Sequence, residues 1–355
     1  MVDLFSAMPD LRPVLKPASA RDPLKNVRAL RNALLRWFDQ RPTDYPWRQT
    51  TDPYAILVSE IMLQQTTVAA VIQNRRFERF LETFPDLETL AAAPEPELLR
   101  AWEGLGYYNR VRNIQKAARA VLSEHSGEFP PDPEALAALP GIGRYTAGAV
   151  ASFAFGRAVP IVDANIARVL SRLFDFHEPV DQAAAQSQLW SWAESLLSSR
   201  SPRAFNSALM ELGQSHCSVR SPDCRQCPIH DFCHTSDPAA LPRKSPRRKT
   251  VAVDEHVLFV RKRSGAVLLA QEEGSRRKGL WKLPERSQDE LADFPLLAVH
   301  RYAITHHRVT LHVHSCAPSQ LPTASEARTE QFHAPSRLPG LPMPSPFRRA
   351  LDSLL

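Results

Sequence analysis

The sequence predicts a mainly helical region followed by a smaller region of mixed strands and helices. Apolar residues recur at helical spacing from residue 24 to residue 213, and they alternate with polar residues in stretches after residue 251. Four cysteines lie between the two regions, at residues 217 to 233. With 355 residues, 43% of them hydrophobic, the chain is long and apolar enough for two or three domains with buried cores.

Shifts in composition divide the chain into five segments. We expect a disordered Pro-rich N-terminus at 1–23, a helical domain at 24–213, a cysteine loop at 214–236, a basic Pro-rich linker at 237–250 and a smaller α+β domain at 251–355. Five basic residues crowd the linker between Arg243 and Lys249. Solvated charge is the ordinary explanation for such a run.

Helical periodicity accounts for most of the first 213 residues. The stretch LKNVRALRNALLRWFDQ is amphipathic, and glycine, proline and aspartate separate the helices that follow. These helices are predicted near 67–84, 95–103, 109–125, 134–139, 144–155, 164–174, 182–199 and 203–213. Later in the chain, the pattern predicts two strands around a Ser264-Gly265 turn, a strand over Val309–Val313 and a short helix at Phe347–Leu354.

The charge and the terminal residues limit the class of protein. The net charge of +6 and the pI near 9.2 suit a polyanionic partner without requiring one. No apolar run of about 18 residues is present, so we expect no transmembrane helix. The N-terminal residues carry acids and lack the apolar core of a signal peptide, which favours a cytoplasmic location. A monomer is the default expectation.

Glu60 lies within AILVSEIMLQQT, residues 55–66, a stretch that looks like a buried helix. On a helix it would share its face with Ile56, Leu57 and Leu63. A buried carboxyl group needs a partner, hydrogen bonds or a proton. Such residues belong to structural networks more often than to catalytic sites, so this position alone leaves both interpretations open.

The cysteines form the strongest metal-binding pattern. Cys217, Cys224, Cys227 and Cys233 are separated by six, two and five residues. Four thiolates on one short loop suit either a tetrahedral zinc ion or a [4Fe–4S] cluster, and the spacing alone does not choose between them. The fifth cysteine, Cys316, stands apart and is expected to be a small core residue.

A glycine-rich turn and an aspartate follow one another in the helical region. LPGIGRYTAGAVASFAFG, residues 139–156, joins a short helix to a longer one. Gly141 and Gly143 permit a tight turn, and the next helix N-terminus suits a phosphate, although many such turns are purely structural. Asp163 immediately precedes a predicted helix, where capping is the commoner role of aspartate. A cap and a catalytic carboxylate are not exclusive.

Together these segments resemble the helix-hairpin-helix DNA glycosylases that carry an iron–sulfur cluster loop. The likeness to the superfamily rests on LPGIGRYTAGA at 139–149, VDANIARVL at 162–170 and the cysteine spacing. The finer likeness is to the adenine DNA glycosylases, the MutY family. It rests on DPYAILVSEIMLQQT at 52–66, GLGYYNRVRN at 104–113 and FNSALMELG at 205–213, and it covers about residues 24 to 316.

The resemblance implies removal of adenine opposite 8-oxoguanine or guanine in double-stranded DNA, after the adenine is flipped out of the duplex. It implies that Glu60 is the general acid and that Asp163 stabilises the positive charge that develops on the sugar. Tyr145 and Asn165 match supporting residues. Related lyases carry a lysine where Tyr145 stands, so we expect a monofunctional glycosylase that leaves an abasic site.

The resemblance also implies contacts with DNA and a cofactor. Gln65 and Tyr107 match residues that insert near the lesion pair, although core packing is a fair alternative for Tyr107 without the resemblance. Gly141 and Gly143 would bind phosphate, and Arg48 matches a residue that lines the adenine pocket. On the four cysteines, the resemblance favours a [4Fe–4S] cluster over zinc.

The last domain resembles the Nudix-like module that recognises 8-oxoguanine in this family. GLWKLPE at 279–285 fits its early segment, but Asp293-Phe294-Pro295 stand where the glutamates of a Nudix box would continue. We therefore expect no pyrophosphate hydrolysis. Ile304-Thr305-His306 replaces the usual Phe-Ser-His, yet Thr305 and His306 keep groups that can hydrogen-bond to the lesion base. Ser207 likewise replaces a longer Glu or Gln that is common near the adenine.

Two other functions compete with this interpretation. A non-catalytic DNA-binding protein could keep the hairpin and the cluster loop, but the presence of both Glu60 and Asp163 argues against it. A glycosylase for another base, such as a mismatched thymine or an oxidised pyrimidine, is disfavoured by the intact SEIMLQQT.

Overall fold

The computed structural model describes residues 20–41, 45–246, 249–274, 277–321 and 329–355. It confirms a mainly α-helical region followed by a smaller region of strands and helices. The described residues form two compact units. The first contains the residues up to Leu57, Phe129–Ala138 and Ile142–Pro246, and the second contains Val58–Glu128, Leu139–Gly141 and residues 247–355.

Some expectations fall on residues outside this description. Most of the segment expected to be disordered, at 1–23, lies there, as do Arg247 and Arg248 of the basic linker. The five domain boundaries stay a prediction.

Twelve α-helices precede the first strand of the described chain. They are α1 (Val27–Asp39), α2 (Pro53–Met62), α3 (Val68–Gln73), α4 (Arg76–Thr83), α5 (Leu87–Ala92), α6 (Glu95–Ala101), α7 (Asn109–Glu124), α8 (Pro133–Ala138), α9 (Arg144–Phe153), α10 (Ala164–Leu173), α11 (Ala183–Leu196) and α12 (Pro202–Ser215). The helix predicted at 67–84 is divided, because Arg75 between α3 and α4 is left-handed with φ of 48°. The prediction omits α5, whose N-cap Asp86 accepts a hydrogen bond from the Thr89 backbone N–H at 2.7 Å.

The core of the first unit lies among α1 and α9 to α12. Their apolar faces supply its fully buried side chains, which include Leu30, Leu34, Ile166, Leu170, Phe205 and Leu212. Gly148 of α9 is required for close packing, because a Cβ there would lie 2.9 Å from the Pro160 carbonyl oxygen. This core therefore brings the start of α10 close to the hairpin helix α9.

The helical part of the second unit packs around aromatic residues and one buried amide. Trp102 is fully buried, and its ring meets the Phe80 ring edge-on with centroids 5.7 Å apart. Gln115 of α7 donates hydrogen bonds to the carbonyl oxygens of Leu90 and Ala93, at 3.0 and 2.8 Å. These bonds fix the end of α5 against α7.

The strands of the second unit form two sheets. They are β1 (Val251–Phe259), β2 (Val267–Gln271), β3 (Trp281–Lys282), β4 (Glu285–Arg286), β5 (Leu296–Ile304), β6 (His307–Ser315) and β7 (Glu330–His333). One sheet has the order β4-β1-β6-β5 and the other β3-β2-β7. β1 and β6 pair in parallel, from Val251 opposite His307 to Phe259 opposite Ser315. The two strands predicted around Ser264-Gly265 are β1 and β2, and they belong to different sheets.

The last helix, α13 (Ser345–Asp352), covers one of these sheets. Its buried Phe347 and Leu351 pack in one cluster with Leu311 and Val313 of β6. The helix predicted at Phe347–Leu354 is thus confirmed with slightly earlier bounds. Among the described helices, none combines the length and the apolar composition that crossing a bilayer requires.

Candidate functional site

Asp163 is the N-cap residue of α10, as the sequence predicts. One carboxylate oxygen accepts the Ile166 backbone N–H at 2.7 Å, and the other accepts the Asn165 Nδ2 at 2.8 Å. The residue keeps part of its surface exposed, but its carboxyl group is surrounded by protein. Burial raises the pKa of Asp163, and these hydrogen bonds oppose the rise. The structure therefore brings Asp163 and Asn165 into one oriented pair.

Arg168, one turn further along α10, holds Asn165 in turn. Its guanidinium donates to the Asn165 Oδ1 at 2.9 Å, to the Gly213 carbonyl at 2.6 Å and to the Cys217 carbonyl at 2.7 Å. Gly213 of α12 makes this approach possible, because a Cβ there would lie 2.7 Å from the Asn165 Cβ. One arginine thus connects the environment of Asp163 with the start of the cysteine loop.

Arg172, on the same face of α10, binds the cysteine loop itself. Its guanidinium donates to the carbonyl oxygens of Cys217, Ser218, Val219 and Leu241 at 2.7 to 3.3 Å. It also lies 3.3 Å from the Cys217 Sγ. The side chain is almost fully buried, with 2% exposure. Because an unpaired buried guanidinium would be costly, these bonds fix the path of the loop over α10.

The four predicted ligand cysteines lie on this loop, and all four are partly buried. Burial raises the pKa of Cys233 to about 12 and also raises the pKa values of Cys224 and Cys227. Charge on other cysteines of the set adds a smaller rise to each of these pKa values. Within the described ranges, no three His, Cys, Asp or Glu side chains converge tightly enough to hold a single metal ion. A four-thiolate centre fits these residues, because the guanidinium of Arg172 offsets thiolate charge.

The two glycines of the hairpin differ in the space that surrounds them. Gly141 has φ of 75°, and a Cβ there would lie 2.4 Å from the Asn113 Cβ. Only glycine fits that close turn. Gly143 is the N-cap residue of α9 and carries no side-chain cap, and the space where a Cβ would lie is open. Tyr145 follows in the first turn of α9 and packs against the core of the first unit.

Arg48 forms a nearly buried ion pair in the first unit. Its Nη1 lies 3.2 Å from the Glu211 Oε2, with side chains 15% and 10% exposed. The guanidinium also lies over the rings of Tyr45 and Phe38, at 4.9 and 5.7 Å from the centroids. Ser207, the departure from the family pattern, is buried one turn before Glu211 on α12.

Glu60 occupies the last turns of α2 and is 5% exposed. Its helix neighbours Ile56 and Leu57 are buried as well, so the buried helix predicted around it is confirmed. The apolar surroundings that the sequence predicted for this carboxyl group are therefore present.

Gln65 and Tyr107 lie at the tips of two loops of the second unit. Both are exposed, and both have left-handed backbones, with φ of 57° and 47°. Such conformations cost free energy in residues other than glycine, so something must hold them. Tyr107 is 53% exposed, which excludes the alternative of core packing.

Arg110 of α7 supplies that restraint. It donates to the carbonyl oxygens of Ile61 in α2 at 2.8 Å and of Gln64 in the loop that follows. It also donates to those of Leu105 at 2.8 Å and Gly106 at 3.3 Å in the other loop. Its guanidinium also lies 5.6 Å from the Tyr107 ring centroid. Burial lowers the pKa of Arg110 to about 10, which leaves it charged at neutral pH. One side chain therefore binds both loops that display the predicted insertion residues.

Thr305 and His306 form the two-residue turn between β5 and β6. Thr305 is exposed with φ of 54°, and its hydroxyl donates to the Ile304 carbonyl at 2.7 Å. The His306 carbonyl accepts the Val251 N–H at 2.9 Å. The ring centroids of His306 and His307 are 4.0 Å apart. Both predicted recognition residues thus lie at one exposed hairpin tip.

Sequence reasoning missed the three arginines that organise these sites, Arg110, Arg168 and Arg172. A signal was present for two of them, because Arg168 and Arg172 are four residues apart in the otherwise apolar stretch NIARVLSRL. Two charges on the buried face of a helix indicate internal partners. No comparable signal marks Arg110, which stands among other arginines on α7.

Comparisons with known proteins agree with this arrangement. Residues 58–195 match the HhH-GPD superfamily of base excision DNA repair proteins. The adenine DNA glycosylase of Homo sapiens is 43% identical over 216 residues, which are 58% of this chain and 39% of the human protein. The chain spans half or less of the length of its human, rat and mouse relatives.

Two solved structures share the fold of the helical region. A thermostable thymine-DNA glycosylase is 31% identical with a TM-score of 0.54, over 59% of this chain and 95% of that chain. A trapped endonuclease III–DNA covalent intermediate is 26% identical with a TM-score of 0.51, over 60% of this chain and 96% of that chain. With the hairpin, the capping aspartate and the cysteine loop in place, the chain belongs to the HhH-GPD superfamily of base excision DNA repair proteins.

Proposed function

We propose that this protein is an adenine-specific DNA glycosylase that hydrolyses the N-glycosidic bond of adenine opposite 8-oxoguanine or guanine. The observation that carries the proposal is the buried Asp163 carboxyl group, held by Asn165 and the N-terminus of α10. Support also comes from the curated relatives, which are adenine DNA glycosylases from human, rat and mouse.

In the proposed reaction, Glu60 and Asp163 have different roles. Glu60 donates its proton to the adenine, and the bond between the sugar and the base breaks. Water then adds to the sugar carbon and returns a proton to the Glu60 carboxylate. Asp163 stays ionised and stabilises the positive charge on the sugar, because a fixed negative charge in a dry site acts strongly. Asn165 keeps the Asp163 carboxylate in one orientation through its hydrogen bond.

Tyr145 makes the enzyme monofunctional in this proposal. A lyase step needs an amine that forms a Schiff base with the opened sugar, and tyrosine has none. The product is then an abasic site in an unbroken strand. Arg48, held by Glu211, would line the adenine pocket.

The proposed substrate is double-stranded DNA, and the relative solved as an endonuclease III–DNA intermediate supports a DNA partner. Gln65 and Tyr107 would insert into the duplex, where an aromatic ring can fill the gap left by a flipped base. Gly141 and Gly143 would bring backbone N–H groups to a phosphate. A Nudix-like domain at 251–355 would read the opposite base through Thr305 and His306.

Cys217, Cys224, Cys227 and Cys233 would hold a [4Fe–4S] cluster. Such a cluster supplies a rigid, thiolate-linked centre that can also exchange an electron. The protein contributes Arg172, which neutralises charge at Cys217 and fixes the loop on α10. We further propose that the enzyme acts as a cytoplasmic, nucleoid-associated monomer.

The test uses end-labelled duplexes with adenine opposite 8-oxoguanine, guanine or thymine, and protein in excess. Each sample is divided, and one half is heated in alkali to break abasic sites. We expect breaks only after alkali, fastest with 8-oxoguanine, and a loss of about 10²–10⁴-fold in the Glu60→Gln variant, which has no proton to donate. Breaks without alkali would contradict the role of Tyr145. Normal DNA binding without any base release would leave a recognition protein only.

A further inference from the structure

A concave pocket of about 470 Å³ lies in the second unit, and its lining contains none of the proposed site residues. It is formed by α4, the end of α6 and the first turn of α13. We call it the arginine pocket, because its charged lining consists of Arg76, Arg79, Arg100, Arg348, Arg349 and a single acid, Glu103.

The one acid is already engaged. Its carboxylate binds Arg100 and lies 3.0 Å from the Nε of Arg348. The other two nitrogens of Arg348 donate to the carbonyl oxygens of Leu338 and Leu341, at 2.9 and 2.6 Å. Glu103 therefore compensates only part of the positive charge that lines the pocket.

Two arginines of the pocket keep their charge uncompensated. Arg79 and Arg349 are exposed, and within the described ranges neither side chain makes a hydrogen bond or an ion pair. Burial lowers the pKa of Arg76, and repulsion from Arg79 adds to that effect. Like charges thus converge on a concavity that the chain itself does not neutralise.

We propose that the arginine pocket is a binding site for phosphate groups, separate from the site of base removal. Guanidinium groups match phosphate in planar, two-pronged geometry, and those of Arg79 and Arg349 are exposed at the pocket. The volume suits a ligand the size of two or three linked phosphates. The phosphates come either from a DNA strand that lies over this surface or from a free polyphosphate.

The experiment measures two ligands with the full-length protein. Tripolyphosphate binding is followed by isothermal titration calorimetry, and binding of an undamaged, fluorescent duplex is followed by anisotropy at several salt concentrations. The variant is Arg79→Glu with Arg349→Glu, because both side chains are exposed and support no internal contact. The matched control is Arg263→Glu with Arg301→Glu, which changes the net charge equally on exposed residues outside the pocket.

If the pocket takes free polyphosphate, the pocket variant loses at least about tenfold in tripolyphosphate affinity while the control does not. If it takes a DNA strand, tripolyphosphate binds weakly, and the pocket variant weakens duplex binding with a salt slope reduced by about 2, one unit for each phosphate contact. Equal effects of both double variants, or no effect of either, would overturn the proposal. Adenine release under single-turnover conditions should stay unchanged in the pocket variant, so failure here is distinct from failure of the proposed function.

Discussion

An arginine holds the first half of α10 in place, and another holds the two loops around Arg110, but the bonds differ between the two regions. In both, an arginine inside the fold donates to several backbone carbonyl groups. Arg168 also bonds directly to the Asn165 side chain, which orients the carboxylate of Asp163. Arg110 instead bonds to backbone carbonyl groups near Gln65 and Tyr107, and its guanidinium lies 5.6 Å from the Tyr107 ring centroid. The proposed reacting group is thus held by side-chain hydrogen bonds, whereas the loops proposed to contact DNA are held mainly through their backbone.

The largest effect is expected at Asp163, the end point of the α10 network. Asp163→Asn removes the charge but keeps a good N-cap, so base release should fall by about 10²–10³-fold or more while folding is retained. Asp163→Ala should lose activity equally and cost about 1 kcal/mol of stability in addition. Single-turnover rates measure the loss of activity in each variant, and urea denaturation measures the loss of stability. Substantial activity in Asp163→Asn would remove the carboxylate from the mechanism.

Removal of Arg168 should affect both chemistry and stability. Arg168→Ala leaves the Asn165 Oδ1 and two carbonyl oxygens without their donor, at roughly 1–3 kcal/mol for each group that water does not reach. We expect a lower free energy of unfolding and a slower chemical step, measured by denaturation and single-turnover assays. Arg220→Ala, an exposed arginine on the neighbouring loop, is the control and should change neither.

Removal of Arg110 should mainly weaken recognition. Without it, the left-handed Gln65 and Tyr107 are free to relax, which is worth about 1–2 kcal/mol for each residue. Arg110→Ala should therefore lower the affinity for lesion DNA relative to undamaged DNA by about tenfold, with a smaller change in the single-turnover rate. Arg119→Ala, on the same helix, is the control. If the rate fell as much as in Arg168→Ala, the difference between the two arginine sites would disappear.

The pH dependence of stability should also differ between variants of Asp163 and of Arg110. Burial raises the pKa of Asp163 in the folded protein above its unfolded value, so the folded state holds the proton more tightly. The contribution of this group to stability is therefore greater below the folded pKa and is lost as pH rises through it. In urea titrations, the stability of wild type relative to Asp163→Asn should therefore fall as the pH rises above about 4, the ordinary pKa of an aspartate. Arg110→Ala should show the wild-type pH profile.

The smallest effect is expected at the β5–β6 turn, which has a left-handed residue but no arginine. Thr305→Gly removes the conformational cost at φ of 54°, and it also increases the freedom of the unfolded chain. The free energy of unfolding should change by less than about 1 kcal/mol. Rates with 8-oxoguanine and guanine opposite adenine should become more similar, since the hydroxyl is lost. Unchanged discrimination would exclude Thr305 from base recognition.

The sequence predicted those parts of the fold that depend on local chemistry. Helix bounds follow from periodicity, and the capping role of Asp163 follows from its place before an apolar helix. The left-handed conformations of Gln65 and Tyr107 were not predictable, because Arg110 imposes them from 45 and three residues away in the chain. Likewise, nothing local indicates that β1 pairs with β6 rather than β2, since that choice depends on long-range packing.

That pairing sets the order in which the second unit can be assembled. β1 ends at Phe259, but its parallel neighbour β6 begins at His307. During synthesis, the edge of β1 that β6 will cover stays open until almost fifty further residues have been made. Loop closure over such a distance slows folding, and an uncovered apolar strand edge favours association between chains. A chain shortened to end before His307 should consequently aggregate, even though every residue of β1 is present.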